Sequence, residues 1–115
     1  DDVGVTLVAR LAARLVGEAN AHGVPVVILT IPAPIGLAGG DAEYAAVVAA
    51  FERLVARGTN QLIVSDAMLR DVAARGGEPY LAHDGHLAPA GHRVVAAALA
   101  SAVLRYEEDE EGDRR

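Results

Sequence analysis

The sequence predicts an α/β fold with a parallel sheet, and three observations carry that prediction. Apolar residues recur at helical spacing in three long stretches. Between them lie two short runs that are apolar on both alternating faces, as strands covered on both sides are. The resulting order of helix, strand, helix, strand, helix, helix is the alternation of a three-layer α/β/α sandwich.

The first helix is expected over about 6–22. Val8, Leu11, Ala12, Leu15, Val16 and Ala19 form its buried stripe, Thr6 stands as an N-cap behind Asp1 and Asp2, and Gly23 follows as the stop. Residues 24–31 are a β-branched run with Pro25 near the start, which reads as an interior parallel strand. Residues 32–40 then form a loop, long for an α/β unit and placed at the strand's carboxyl end. Asp41 should cap a second helix that buries Tyr44, Val47, Val48, Phe51, Leu54 and Val55 and closes at Arg57-Gly58.

The second strand is Gln61-Leu62-Ile63-Val64. Asp66 is expected to cap a short helix over about 67–75 that ends at Gly76-Gly77. Pro89 opens the last helix, whose buried side is Val94, Val95, Ala98, Leu99, Ala102, Val103 and Tyr106. Only two good strands are present, so a sheet open at both edges is expected either to belong to a larger domain or to pair between chains. Residues 1–106 are therefore read as the C-terminal part of one α/β domain, and 107–115 as a disordered acidic tail.

Composition excludes several function classes. The net charge is −6, much of it from the run at 107–113, and the ten basic residues are arginines scattered singly along helices. That is no footprint for nucleic acid, so none is expected as a partner. Cysteine is absent, which removes disulfides and thiolate metal sites without fixing a compartment. No apolar run reaches the roughly 18–20 residues of a membrane span. With three Tyr and one Phe, burial must come from Val, Leu, Ile and Ala.

The chemistry-bearing stretch is the polar turn Ala82-His83-Asp84-Gly85-His86-Leu87-Ala88-Pro89-Ala90-Gly91-His92. Asp84 and His86 lie two residues apart on a turn made pliable by Gly85. A carboxylate there can fix the tautomer of the imidazole and stabilise the imidazolium that forms when it takes a proton. The competing structural account is an Asx-type turn that caps the last helix, with His86 packed on it. His83, Asp84, His86 and His92 are also metal-ligand types, but their spacing fits no zinc motif, and neither metal nor cofactor is expected. Ser65, at the carboxyl end of a strand, lacks the elbow of a nucleophilic serine and reads as helix-capping; Ser101 lies inside the last helix. Gly39-Gly40 is not followed by the Lys-Ser/Thr of a phosphate loop.

These residues resemble a known family. The run from Gly23 to Pro32, the long loop, Ile63-Val64-Ser65-Asp66, Tyr80-Leu81, Asp84-Gly85-His86-Leu87, Pro89 and Gly91-His92 together resemble the C-terminal half of the SGNH/GDSL hydrolases. The resemblance implies a flavodoxin-like sandwich and a Ser-His-Asp triad that cleaves esters or transfers acyl groups. It makes His86 the base, Asp84 its partner, and a small ester or an acylated carbohydrate the substrate. The commoner family spacing would put the acid at His83; the two-residue spacing is similar to the Asp-x-His of the polysaccharide O-acetyltransferases in that superfamily. The family's Gly-Asp-Ser, oxyanion Gly and Gly-x-Asn-Asp blocks would fall upstream of Asp1, so the 115 residues alone are expected to be inactive. The alternative is a non-catalytic α/β module that assembles through its sheet edges or binds a ligand at its loops.

Overall fold

The computed structural model describes residues 2–115. They form a mixed α/β structure of five helices and two parallel strands in one sheet. The chain divides into two compact units, Asp1–Val64 and Ser65–Arg115. The division falls directly after the second strand. Packing on the first side of it is made by a sheet and two long helices, and on the second by a pair of helices.

In the first unit, α1 (Asp2–Ala21) leads to β1 (Val27–Thr30), and a short α2 (Pro34–Leu37) interrupts the expected loop. Then come α3 (Ala42–Val55) and β2 (Gln61–Val64). The strands pair in parallel with Val27 opposite Gln61 and Thr30 opposite Val64. β1 is half the length its composition suggests, because the ladder extends only as far as the four residues of β2 offer partners. α1 packs on α3, and α3 on β2.

α1 ends as the glycine predicts. Gly23 has φ of 73°, its N–H bonds to the Asn20 carbonyl at 3.0 Å, and the Val24 N–H reaches back to Ala19 at 2.9 Å. That is a Schellman cap, which a residue with a Cβ would strain. The His22 ring adds a bond from Nδ1 to the Glu18 carbonyl at 2.9 Å, satisfying another last-turn acceptor. At the other helix, Asp41 caps α3 by accepting from the Tyr44 N–H at 3.0 Å. The Tyr44 hydroxyl in turn donates to Thr30 Oγ1 at 3.1 Å, tying α3 to the end of β1.

The buried side of α1 is not the one its leucines suggest. Val16 is buried, and Val5, Ala9, Ala12 and Ala19 are half-buried beside it. Val8, Leu11 and Leu15, expected in the core, are 43, 59 and 63% exposed. The face that meets α3 is made of small residues, and alanines let two helices approach closely. The leucine side, roughly a third of a turn away, is left outward.

The second unit holds α4 (Asp66–Ala74) and α5 (Pro89–Asp113), which pack together; Leu69 on α4 and Val95 and Ala102 on α5 are buried. Ser65, not Asp66, occupies the cap position of α4, and its side chain makes no capping bond to the helix. On α5, Leu99 and Val103 are 39 and 46% exposed instead of buried. The acidic segment expected to be disordered continues the helix to Asp113, and the Arg114 N–H closes on the Glu110 carbonyl at 3.3 Å. Glutamate is a good helix former, and an Arg114–Glu110 pair at 3.8 Å offsets some of its unfavourable charge near the helix C-terminus.

Candidate functional site

The polar turn is held by backbone. Tyr80 and Leu87 form an antiparallel bridge, the Ala88 N–H bonds to the Pro79 carbonyl at 2.9 Å, and the Leu81 N–H bonds to the His86 carbonyl at 2.9 Å. Residues 82–85 are thus the tip of a closed loop whose stem is Pro79–Leu81 and His86–Ala88. The stem is anchored where Leu87 and Ala88 are buried, immediately before Pro89 starts α5. Gly91, one turn in, makes the junction possible: a Cβ there would run into the Pro79 carbonyl and crowd Leu87. The absence of a side chain lets the first turn of α5 lie directly on the loop stem.

Asp84 and His86 meet at the tip of this loop. One carboxylate oxygen, Oδ1, accepts from the His86 backbone N–H at 2.8 Å and lies 3.1 Å from His86 Nδ1. The first contact is an Asx turn, so the structural account of this pair holds in part. It does not cap the last helix: the α5 cap position is Ala88, with no side-chain bond. The second contact is the one chemistry needs. A carboxylate accepting from Nδ1 selects the tautomer with the proton on that nitrogen and leaves Nε2 with the lone pair of a base.

Electrostatics follow from those bonds. The backbone N–H of His86 holds the Asp84 carboxyl below the usual carboxylate range, with desolvation opposing and the His86 ring contributing further lowering. The pair is open to solvent, His86 at 84% and Asp84 at 52% side-chain exposure. Water screens the attraction between them. Nearer the loop stem, burial pushes the Tyr80 phenol up, and the Asp66 carboxylate adds to the effect.

The other residues singled out from sequence are not gathered here. His83 is exposed on the same tip and His92 is exposed on α5. Among the described residues no three histidine and carboxylate side chains converge as a metal site would require. Ser65 is fully buried, which removes it as an attacking nucleophile, and Ser101 is exposed on α5. Among the described residues, no helix is long and apolar enough to cross a membrane.

Sequence reasoning passed over one polar pair. The side-chain amides of Asn20 and Asn60 bond to each other reciprocally at 3.0 and 2.9 Å. Asn60 Oδ1 also accepts from the Val26 N–H at 3.0 Å, and its Nδ2 donates to the Arg57 carbonyl at 3.3 Å. Asn20 Nδ2 donates to the Val24 carbonyl at 2.9 Å as well. Both donors and both acceptor positions of Asn60 are thus used. The only sequence signal was an asparagine immediately before a strand, which turn chemistry already accounts for. Compared with known proteins, the chain finds no match among family models, curated proteins or solved structures.

Proposed function

We propose that the chain carries the acid–base half of an SGNH/GDSL-type ester hydrolase, with His86 as general base and Asp84 as its orienting partner. The observation that supports this reading most is the single carboxylate oxygen of Asp84 placed 3.1 Å from His86 Nδ1 while held by the His86 backbone. A serine supplied from outside residues 1–115 would attack the ester carbonyl. His86 Nε2 would take the serine proton and return it to the leaving alcohol, and Asp84 would stabilise the imidazolium between those steps. The reading keeps the flavodoxin-like sandwich as the fold of the complete domain, with a small ester or acylated carbohydrate as substrate. The two-residue spacing of Asp84 and His86 leaves O-acyl transfer as a variant of the same chemistry, in which an alcohol replaces water at the second step.

The test is to read the coding sequence that precedes Asp1 and, where it supplies Gly-Asp-Ser after a strand, to assay the extended protein on p-nitrophenyl acetate. Hydrolysis is expected, with His86→Ala lowering kcat by about a thousandfold or more. The 115-residue chain alone should give only the background rate. An extended protein whose activity survives His86→Ala would remove the proposal. A second reading, a non-catalytic module that assembles with itself, is favoured by the outward leucines of α1.

A further inference from the structure

Asp84 is followed by Gly85, and no other aspartate or asparagine in the 115 residues has glycine behind it. The backbone nitrogen after an aspartate can attack that residue's own side-chain carboxyl carbon and close a five-membered ring. A Cβ on the following residue crowds the approach, and glycine removes it. A helix blocks the attack in another way, since its dihedrals keep the chain from turning that nitrogen toward the side chain. Asp66, Asp71, Asp109 and Asp113 lie in α4 and α5, and Asp41 is followed by Ala42, the first residue of α3.

Asp84 has neither protection. Residues 82–86 are exposed, and among the described residues the Gly85 N–H has no hydrogen-bond partner. The 2.8 Å bond from the His86 N–H to Asp84 Oδ1 folds the carboxyl back along the two peptide units it spans, and the Gly85 nitrogen belongs to the first of them. Addition at the carboxyl carbon puts negative charge on an oxygen. Oδ1 already accepts from a fixed N–H, which stabilises that charge as it forms. The same bond holds the carboxyl below its ordinary value, so the protonated form that loses water is scarce and the reaction is slow ageing, not a fast switch.

We propose that Asp84-Gly85 is a modification site, at which the exposed turn lets aspartate isomerise spontaneously to isoaspartate through a cyclic imide. In the first step the Gly85 nitrogen bonds to Asp84 Cγ and the Cγ–Oδ2 bond breaks. Oδ2 leaves as water, with the proton the carboxyl carries and the Gly85 amide proton. In the second step water adds at the Asp84 main-chain carbonyl carbon, and the bond from that carbon to the Gly85 nitrogen breaks. The amide recovers its proton, and no atom is gained or lost overall. The main chain now runs through Cβ and Cγ, and the carboxylate hangs directly from Cα, so both contacts of Oδ1 with His86 are lost. The site rests on the geometry of the turn and not on the hydrolase reading; in that reading, its product is an enzyme whose base is no longer oriented.

Incubating the purified chain at neutral pH and physiological temperature for several weeks, then digesting it, tests the proposal. The peptide that holds Asp84 should separate into two forms of equal mass, beside a trace form lighter by one water, and electron-transfer fragmentation should place isoaspartate at position 84. Peptides that hold Asp41, Asp66 and Asp71 should stay single. The isolated isoaspartate chain should show a moved His86 amide resonance, since Oδ1 no longer accepts from it. Gly85→Ala keeps the Asp84 carboxyl at an exposed loop tip and should abolish the second form over the same period. Asp84 that stays intact in the folded chain, while a chain unfolded in guanidinium chloride isomerises there, overturns the proposal, because the turn then protects the bond. Equal accumulation of isoaspartate in Gly85→Ala overturns it as well.

Discussion

Two polar pairs in this molecule use the same kind of bonds for opposite ends. Asn20 and Asn60 join the end of α1 to the start of β2, and Asn60, 9% exposed, spends every donor and acceptor position it has. Asp84 and His86 are mostly exposed, and their bonds leave one imidazole nitrogen uncommitted. A buried and saturated side chain such as that of Asn60 has nothing left to offer a substrate, and its value is in the fold. An exposed pair braced by backbone costs little to keep and holds a proton acceptor ready. The difference lies in solvent access and spare valence, not in residue type.

The largest effect expected from breaking this comparison is on the saturated side. Asn60→Ala leaves the Val26 N–H, the Arg57 carbonyl and the Asn20 amide without their Asn60 partner at a part-buried place, and should cost about 1–3 kcal/mol of stability in urea unfolding. A loss below about 1 kcal/mol would mean that water replaces the amide and that the pair is ornamental. Next in size is Gly91→Ala. Its methyl group meets the Pro79 carbonyl and Leu87, so either α5 or the loop stem must shift, at about 1–3 kcal/mol. Faster exchange of the Ala88 amide, whose bond to Pro79 closes the loop, would show that the stem moved; unchanged exchange with unchanged stability would show that Gly91 is not what holds the turn.

How legible these features were in the sequence depended on the range of the interactions behind them. Local chemistry was readable: Gly23 as a helix stop, Asp41 as a cap, Pro89 as a first helical residue and Gln61–Val64 as a strand all follow from a few neighbouring residues. The Asp84–His86 contact was readable for the same reason, being a bond across two positions. The Asn20–Asn60 pair spans forty positions, and no local pattern announces it. The burial of α1 was misjudged because periodicity finds an apolar stripe but not its partner. Two stripes were available, and the alanine side met α3 while the leucines stayed out. The acidic end of α5 was misread because net charge was weighed above the helix propensity of glutamate.

A smaller effect distinguishes a carboxylate that caps from one that orients. Asp41 and Asp84 each accept a backbone N–H, at 3.0 and 2.8 Å. Asp41→Ala should cost about 1 kcal/mol, because the first turn of α3 loses a partner for one of its free N–H groups. Asp84→Asn should change stability by less than about 0.5 kcal/mol, since the site is exposed and the amide oxygen can still accept from the His86 N–H. Equal losses at the two positions would mean that the Asp84 turn is as structural as a helix cap.

The finest test is the proton itself. The carboxyl of Asp84 sits below its ordinary value in the folded chain, chiefly through the His86 backbone N–H. Its contribution to the turn is therefore fully present above the unfolded value and is lost as pH falls through the lowered folded one. Carbon-detected NMR of the Asp84 carboxyl should show a midpoint below that of an unfolded control, and the His86 amide shift should follow the same midpoint because one oxygen serves both. In Asp84→Asn the amide should lose that low-pH step. A carboxyl that titrates at or above the unfolded value, or a His86 amide indifferent to it, would mean that the bond is not populated in solution. His86 would then be an unrestrained surface histidine, and the preference for a proton on Nδ1 that makes Nε2 the base would go with it.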